Sequence, residues 1–295
     1  MIETIQDSLK WGRETLQKNS VENPRLDCEV LLAKALDMER HRLLLEYQRV
    51  VDQEGLKRFK SFIERRALRE PVGYITGEKE FWSLNFKITR DVLIPRPETE
   101  FLIEGALEAA REIFSGRKSE PSPLNILDIG TGCGNIPIAL AKEIKNSFIY
   151  ALDRSDKALK VAGENLDLYS VRDRVFLIRG DVNKGLCFSK NGFDIIISNP
   201  PYVSADEIKT LLPEVRDFEP MDSLNGGKEG LDLINEIIIK SPYFLKEKGF
   251  LILEIGKGQR NPTQRMIEKR GTFSNLSVKK DLAGIERVVM AQKVK

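Results

Sequence analysis

An apolar run, Asn125-Ile126-Leu127-Asp128-Ile129, meets Gly130-Thr131-Gly132-Cys133-Gly134-Asn135 and then a second apolar run over 136–144 with helical spacing. Strand, glycine turn and helix in that order make a nucleotide-binding unit, and a chain of such units folds as a mostly parallel sheet covered by helices. The glycines let backbone come close to a ligand, and the helix start presents free N–H groups. The spacing is Gly-x-Gly-x-Gly, whereas the dinucleotide fingerprint places its third glycine one position later, where Asn135 stands.

Three more strands are expected in series. The run 148–152 ends in Asp153, and a carboxylate at the end of the second strand is placed to take both hydroxyls of a ribose. The run 175–178 ends in Gly180-Asp181, where an acid can accept from an adenine amino group. Either acid could instead cap a helix, as Asp153-Arg154-Ser155 precedes one. The run 193–198 stops at Asn199-Pro200-Pro201-Tyr202, because proline gives no N–H to a ladder and holds the residue before it extended. The Asn199 carboxamide then sits at the carboxyl edge of the sheet, where open α/β folds bind ligands. With the Pro200 carbonyl and the Tyr202 ring it can receive a planar NH2 group by accepting both of its hydrogens. An Asn-Pro pair alone is an ordinary turn signal, and the upstream glycine stretch gives it a functional reading. After Tyr202 the pattern predicts a loop with Pro213 and Pro220, helices near 231–245 and 261–270, a strand over 249–255 and a closing hairpin over 273–279 and 287–293.

The front of the chain reads differently. Apolar residues at helical spacing predict helices over 4–19, from Asn23-Pro24 through Leu26, Val30, Leu31, Ala33 and Leu36, briefly over 42–47, and from the cap Asp52 to about 69, together a small bundle. In the last of these Leu56, Phe59, Phe62 and Ile63 face inward, with Lys57, Arg58, Lys60, Arg65 and Arg66 outward, and Trp11 is expected as a core anchor. The stretch 71–77 is expected to break the helix, 81–88 to form a strand and 91–94 its hairpin partner, followed by a helix over 101–114 and a surface loop at 116–123. The expected domains are 1–70 (helical), 71–97 (hairpin linker) and 98–295 (the nucleotide-binding α/β domain).

Charge is nearly balanced, 47 basic against 45 acidic residues, which argues against a protein built to grip duplex DNA. Cys28, Cys133 and Cys187 are too far apart for a metal knuckle or disulfide framework and are expected as free thiols in a reducing cytoplasm. A single histidine, His41, removes His-based triads and is expected on the surface. No stretch is long and apolar enough for a membrane span.

Once these motifs are placed, the chain resembles the class I S-adenosylmethionine-dependent methyltransferases, and within them the protein-(glutamine-N5) methyltransferases of the PrmC/HemK family. The resemblance runs through Pro71-Val72-Gly73-Tyr74-Ile75, Gly77, Glu80-Phe81-Trp82, Ile94-Pro95-Arg96-Pro97-Glu98-Thr99-Glu100, residues 128–134, 198–202, Gly226-Gly227, Gly230-Leu231-Asp232, Glu254-Ile255-Gly256 and Asp281-Leu282-Ala283-Gly284. It implies a Rossmann-like α/β catalytic domain with a seven-stranded, mostly parallel sheet and a terminal antiparallel hairpin, preceded by the bundle as substrate-docking domain and by the linker. It implies N5 methylation of the glutamine in the Gly-Gly-Gln motif of class I peptide chain release factors, with S-adenosyl-L-methionine converted to S-adenosyl-L-homocysteine and no stable nucleic-acid partner. Gly130, Thr131, Gly132, Cys133, Gly134, Asp153 and Asp181 are the expected cofactor residues. Asn199, Pro200, Pro201 and Tyr202 are expected to hold the glutamine amide, with Asn199 also touching the cofactor. Many members have a tryptophan after the third strand's acid; Val182 stands there instead, as expected cofactor lining. Asn-Pro-Pro-Tyr also occurs in adenine-N6 nucleic-acid methyltransferases, which are the alternative reading.

Overall fold

The computed structural model describes residues 3–116, 122–185 and 188–294; Cys187 and residues 117–121 of the expected 116–123 loop lie outside them. The chain divides into two compact units. One runs through Glu78 and adds Leu212–Phe218; the other holds Lys79–Leu211 and Glu219–Lys295.

The first unit contains α1 (Ile5–Lys18), α2 (Pro24–Ala35), α3 (Arg40–Leu45), α4 (Gln53–Ala67) and α5 (Val72–Thr76). Thr4 and Asp7 cap α1 reciprocally, the Asp52 side chain caps α4, and Pro24 opens α2 where its missing N–H costs nothing. Ile5, Leu16, Leu31, Leu32, Leu43, Phe59 and Ile63 are fully enclosed between them. Trp11 packs edge-on to Phe59 with Lys60 over its ring. Three expectations change and one gains detail. The helix does break, α4 ending at Ala67, but residues 72–76 beyond the break form a helical turn of their own, α5, with Gly77 supplying its left-handed end at φ 76°. Leu26 is exposed and Leu32 fills the core in its stead. Arg66 is buried, because it donates to Asp27 at 2.7 Å and to Glu214 at 2.9 Å. Glu214 lies in the helical turn Pro213–Arg216 (α10 in chain order), so part of the expected catalytic half belongs to the helical unit.

The second unit begins at Lys79, within a hairpin of β1 (Glu78–Phe81) and β2 (Leu84–Lys87). Trp82 and Ser83 make its turn at φ 53° and 57°, both left-handed as a two-residue hairpin turn requires, so the expected strand over 81–88 is interrupted by the turn, its partner lies upstream at 78–81, and 91–94 is no strand. Then come α6 (Glu100–Gly116), β3 (Leu124–Ile129), α7 (Asn135–Glu143), β4 (Ser147–Asp153), α8 (Asp156–Tyr169), β5 (Val175–Arg179), β6 (Phe193–Ser198), α9 (Ala205–Ile208), α11 (Asp232–Phe244), β7 (Leu245–Glu254), α12 (Arg260–Arg270), β8 (Phe273–Lys280) and β9 (Glu286–Lys293). The seven strands stand in the order β5-β4-β3-β6-β7-β9-β8, with β5 through β7 parallel and β9 and β8 antiparallel.

Alternation along the strands sorts apolar side chains to two faces. Ile126, Ile195, Ile197 and Ile252 join Leu102, Ile103, Ile138 and Leu166 of α6, α7 and α8. Leu127, Ile196, Leu251 and Leu253 join Ile234, Ile237, Ile238 and Ile267 of α11 and α12. Such a sheet is buried on both sides, which is why its strands read as continuous apolar runs. At its carboxyl edge polar side chains can reach a ligand, and Asp153 at the end of β4 and Asn199 just past β6 both stand there.

Candidate active site

The glycine turn is fastened to the neighbouring strand. The N–H groups of Gly130 and Thr131 both donate to the Leu152 carbonyl, at 2.8 and 3.0 Å. Gly134, at φ 83°, caps the start of α7. The buried Asn165 side chain donates to the Cys133 carbonyl at 2.8 Å and bonds both backbone groups of Lys87, so the turn is braced from α8 as well. The Asp153 carboxylate accepts from Gly132 N–H and from Ser155 N–H, each at 2.9 Å. A carboxylate oxygen has two lone pairs, so one remains on each for a ligand.

Beneath the turn lies an acid that the sequence reading did not single out. Asp128 is wholly buried, and burial pushes its carboxyl up to about 7, against the pull of the facing Thr131 hydroxyl. Neither of its oxygens, nor the Thr131 oxygen, has a well-formed hydrogen bond. Buried acceptors left unmet cost about 1–3 kcal/mol each, so this floor fits a ligand bearing an ammonium or hydroxyl donor. Asp181 accepts from Asn183 N–H at 2.9 Å and caps a short 3-10 turn, and Val182 is buried within the apolar cluster containing Ile129 and Leu152. The Cys133 thiol is enclosed and pushed up to about 12 by burial, which rules it out as a nucleophile at neutral pH.

The second half of the site is the tip of β6. In the parallel register Ile129 stands beside Ser198, and the Ser198 hydroxyl donates to the Ile129 carbonyl at 2.7 Å. A Cβ placed on Gly130 would lie 3.9 Å from the Asn199 carbonyl, so the two strand tips adjoin. The Asn199 NH2 donates to the Thr99 hydroxyl at 3.1 Å, which leaves the carboxamide oxygen as its acceptor. Pro200 is buried, and Pro201 and Tyr202 are half-buried.

Tyr202 is held by its backbone. Its carbonyl accepts from the Gln259 side chain at 2.8 Å, and that same side chain accepts from Gly256 N–H at 2.8 Å and donates to the Gly230 carbonyl at 3.2 Å. Gly230, at φ 72°, passes so close that a Cβ would come within 2.2 Å of the Tyr202 carbonyl, so no other residue fits. Burial, then the Glu254 charge, raise the Tyr202 hydroxyl well above the usual phenol range. Glu254, the last residue of β7, is itself wholly buried and pushed up to about 7 by burial. Thr99 sits in a 3-10 turn whose approach is fixed by Glu219, which accepts from Arg96 at 2.6 Å and from Ile94 N–H at 3.4 Å.

One sheet edge thus carries residues 130–134, Asp153 and Asn199–Tyr202, with Asp181 and Val182 at the end of the outer strand β5. Asp128, Thr99, Glu254 and Gln259 join them without having been read as site residues. Asp128, Thr99 and Glu254 lie in stretches that carry the family resemblance, but with no role attached to them; local pattern added only a carboxylate inside an apolar strand for Asp128 and the end of such a strand for Glu254, and Gln259 gave no signal.

Residues 7–77 match the family described as PrmC N-terminal domain, and residues 110–214 match the methyltransferase small domain. The chain is 36% identical over 290 residues to the release factor glutamine methyltransferase of Rhodopirellula baltica, covering 98% of this chain and 96% of that one. It is 37% identical over 286 residues to the protein of the same name from Geobacter sulfurreducens, covering 97% and 95%. Among solved structures, a methyltransferase from Pyrococcus furiosus superposes with a TM-score of 0.52 at 17% identity over 74% of this chain and 92% of that one, a likeness of fold.

Proposed function

The chain belongs to the release factor glutamine methyltransferase family, and from that membership we propose that it methylates N5 of the glutamine in the Gly-Gly-Gln motif of class I peptide chain release factors. S-adenosyl-L-methionine supplies an electrophilic sulfonium methyl. The Asp128–Thr131 floor suits its ammonium, residues 130–134 bring backbone N–H groups close, the spare lone pairs of Asp153 suit its ribose, and Asp181 and Val182 suit its adenine.

One observation carries this reading: the tip of β6, with its carboxamide, abuts the glycine turn at the tip of β3. An amide nitrogen is a poor nucleophile, so catalysis here is positioning. The Asn199 oxygen and the Pro200 carbonyl accept the two hydrogens of the glutamine NH2 and turn its nitrogen toward the methyl donor. The Tyr202 ring packs on the amide plane, and its fixed backbone keeps that plane in place. The first unit is read as the docking domain for the release factor, and a partner in translation termination places the enzyme in the cytoplasm. Among the described residues no helix is long and apolar enough to cross a membrane.

The test is transfer of tritiated methyl from S-adenosyl-L-methionine to three acceptors: a purified release factor, the same factor with its Gly-Gly-Gln glutamine replaced, and DNA. Label on the first alone is expected. Label on DNA in place of the release factor would establish the adenine-N6 reading.

A further inference from the structure

A carboxamide has two ends of almost equal size, one accepting and one donating hydrogen bonds. Only the oxygen of Asn199 can accept from a substrate NH2, so something must hold the nitrogen end inward. The Thr99 hydroxyl does this at 3.1 Å. A hydroxyl, however, has a single proton and can either accept or donate toward a given neighbour. It accepts from Asn199 only if its own proton is directed elsewhere.

We propose that Thr99 and Glu254 are positioning residues that set which end of Asn199 faces the substrate, the ionised Glu254 carboxylate drawing the Thr99 proton toward itself and so turning the Asn199 oxygen outward. This rests on the reading of Asn199 as the glutamine clamp. The Glu254 carboxylate is wholly buried beside the Thr99 and Tyr202 hydroxyls, which both favour its ionised form, and neither of its oxygens has a hydrogen bond of good geometry to these hydroxyls or to any other group. Two further charges act on it. Glu98 opposes its ionisation and Arg287 favours it. Arg287 is committed to Asp281 at 2.8 Å and also stands 3.9 Å from Glu98. Arg96 acts on the adjoining Tyr202 and is tied to Glu219.

Adding a proton to Glu254 reverses the chain of donors. The carboxyl then donates to Thr99, the Thr99 proton turns to Asn199, and the carboxamide must rotate to meet it with oxygen. That puts an NH2 group where the substrate NH2 arrives. Burial pushes Glu254 up to about 7, so this reversal falls within the working range of pH.

The experiment measures kcat, KM for the release factor and Kd for the cofactor across about pH 6 to about pH 8. Wild-type kcat is expected to rise about tenfold per unit below the carboxyl's pKa and then level off, while Glu254→Gln gives a flat profile. Thr99→Val is expected to lower kcat about tenfold with KM and cofactor Kd unchanged, and Thr99→Ser to restore it. Infrared spectra of wild type minus Glu254→Gln give a readout apart from turnover: subtraction removes the Asp128 carboxyl common to both, and the remaining protonated-carboxyl band is expected to fade over the same pH interval in which kcat rises. A Glu254→Gln enzyme that keeps the wild-type profile, or Thr99→Val with wild-type kcat, overturns the proposal. The Thr99 pair carries the test alone if Glu254→Gln fails to bind cofactor. Asn199→Ala is measured alongside. If it is inactive while both other variants behave as wild type, the orienting role alone fails; if it is fully active, the clamp fails and the orienting role with it.

Discussion

Asn199 presents its carboxamide oxygen from the end of a buried strand, with its nitrogen end already bonded. Replacing it by alanine removes one preorganised acceptor at the reacting nitrogen, and kcat is expected to fall by ~10², a larger effect than any on cofactor affinity, since Asn199 is expected to touch the cofactor only in part. Methyl transfer and equilibrium binding on the same preparation separate the two quantities. Asp153→Ala should do the reverse, weakening cofactor binding by about a hundredfold through loss of two charge-assisted hydrogen bonds and of the acceptor that fixes Gly132 N–H, measured by titration calorimetry. Both residues were legible in the sequence because strand ends can be read from local pattern and both side chains sit on one. Their supports were not. Thr99 is separated from Asn199 by 100 positions, and Gln259 from Tyr202 by 57, so no local pattern could join them. Asp128 was hidden differently: an acid within an apolar run looks like an interruption until its burial is known.

Elements were legible in proportion to how local their cause is. The strand, glycine turn and helix over 124–143 follow from apolar runs and positive-φ glycines, and they fold where expected. The hairpin did not, because Trp82 and Ser83 take left-handed conformations that glycine or asparagine would have signalled. The outward reading of Arg66 failed because amphipathic spacing sorts side chains by polarity alone, and a guanidinium can be buried when acids meet it. Those acids come from distant elements. Glu214 takes a fork from Arg69 at 2.7 and 2.6 Å and another bond from Arg66, and these partners hold its carboxyl below the usual range despite the opposing effect of burial. Glu214→Ala would leave two guanidinium groups short of an anion, one of them buried. The helical unit is expected to lose about 3 kcal/mol, read as an earlier unfolding transition in denaturant.

At the scale of the whole molecule, the two wholly buried acids set how stability varies with pH. Asp128 and Glu254 keep their protons to about pH 7 when folded, against ordinary values of 3.8 and 4.5. Between those limits the folded chain binds more protons than the unfolded one, so stability that is complete at the acid end of this window is lost as pH rises toward 7. The melting temperature of the cofactor-free protein should therefore fall from about pH 5 to about pH 7.5, and Asp128→Asn or Glu254→Gln should each flatten part of that fall. Acids with lowered values, Glu214 among them, act oppositely and only below 4.5. The stretch Leu212–Phe218 has a consequence for descent as well as for folding. The polypeptide passes between the two bodies at 78–79, 211–212 and 218–219, three crossings instead of one. The helical body is therefore not a cassette that recombination could add or delete with a single cut. A chain begun at Lys79 would keep a stub bearing Glu214 without either arginine, so removing the helical body cleanly takes a second change, at 212–218.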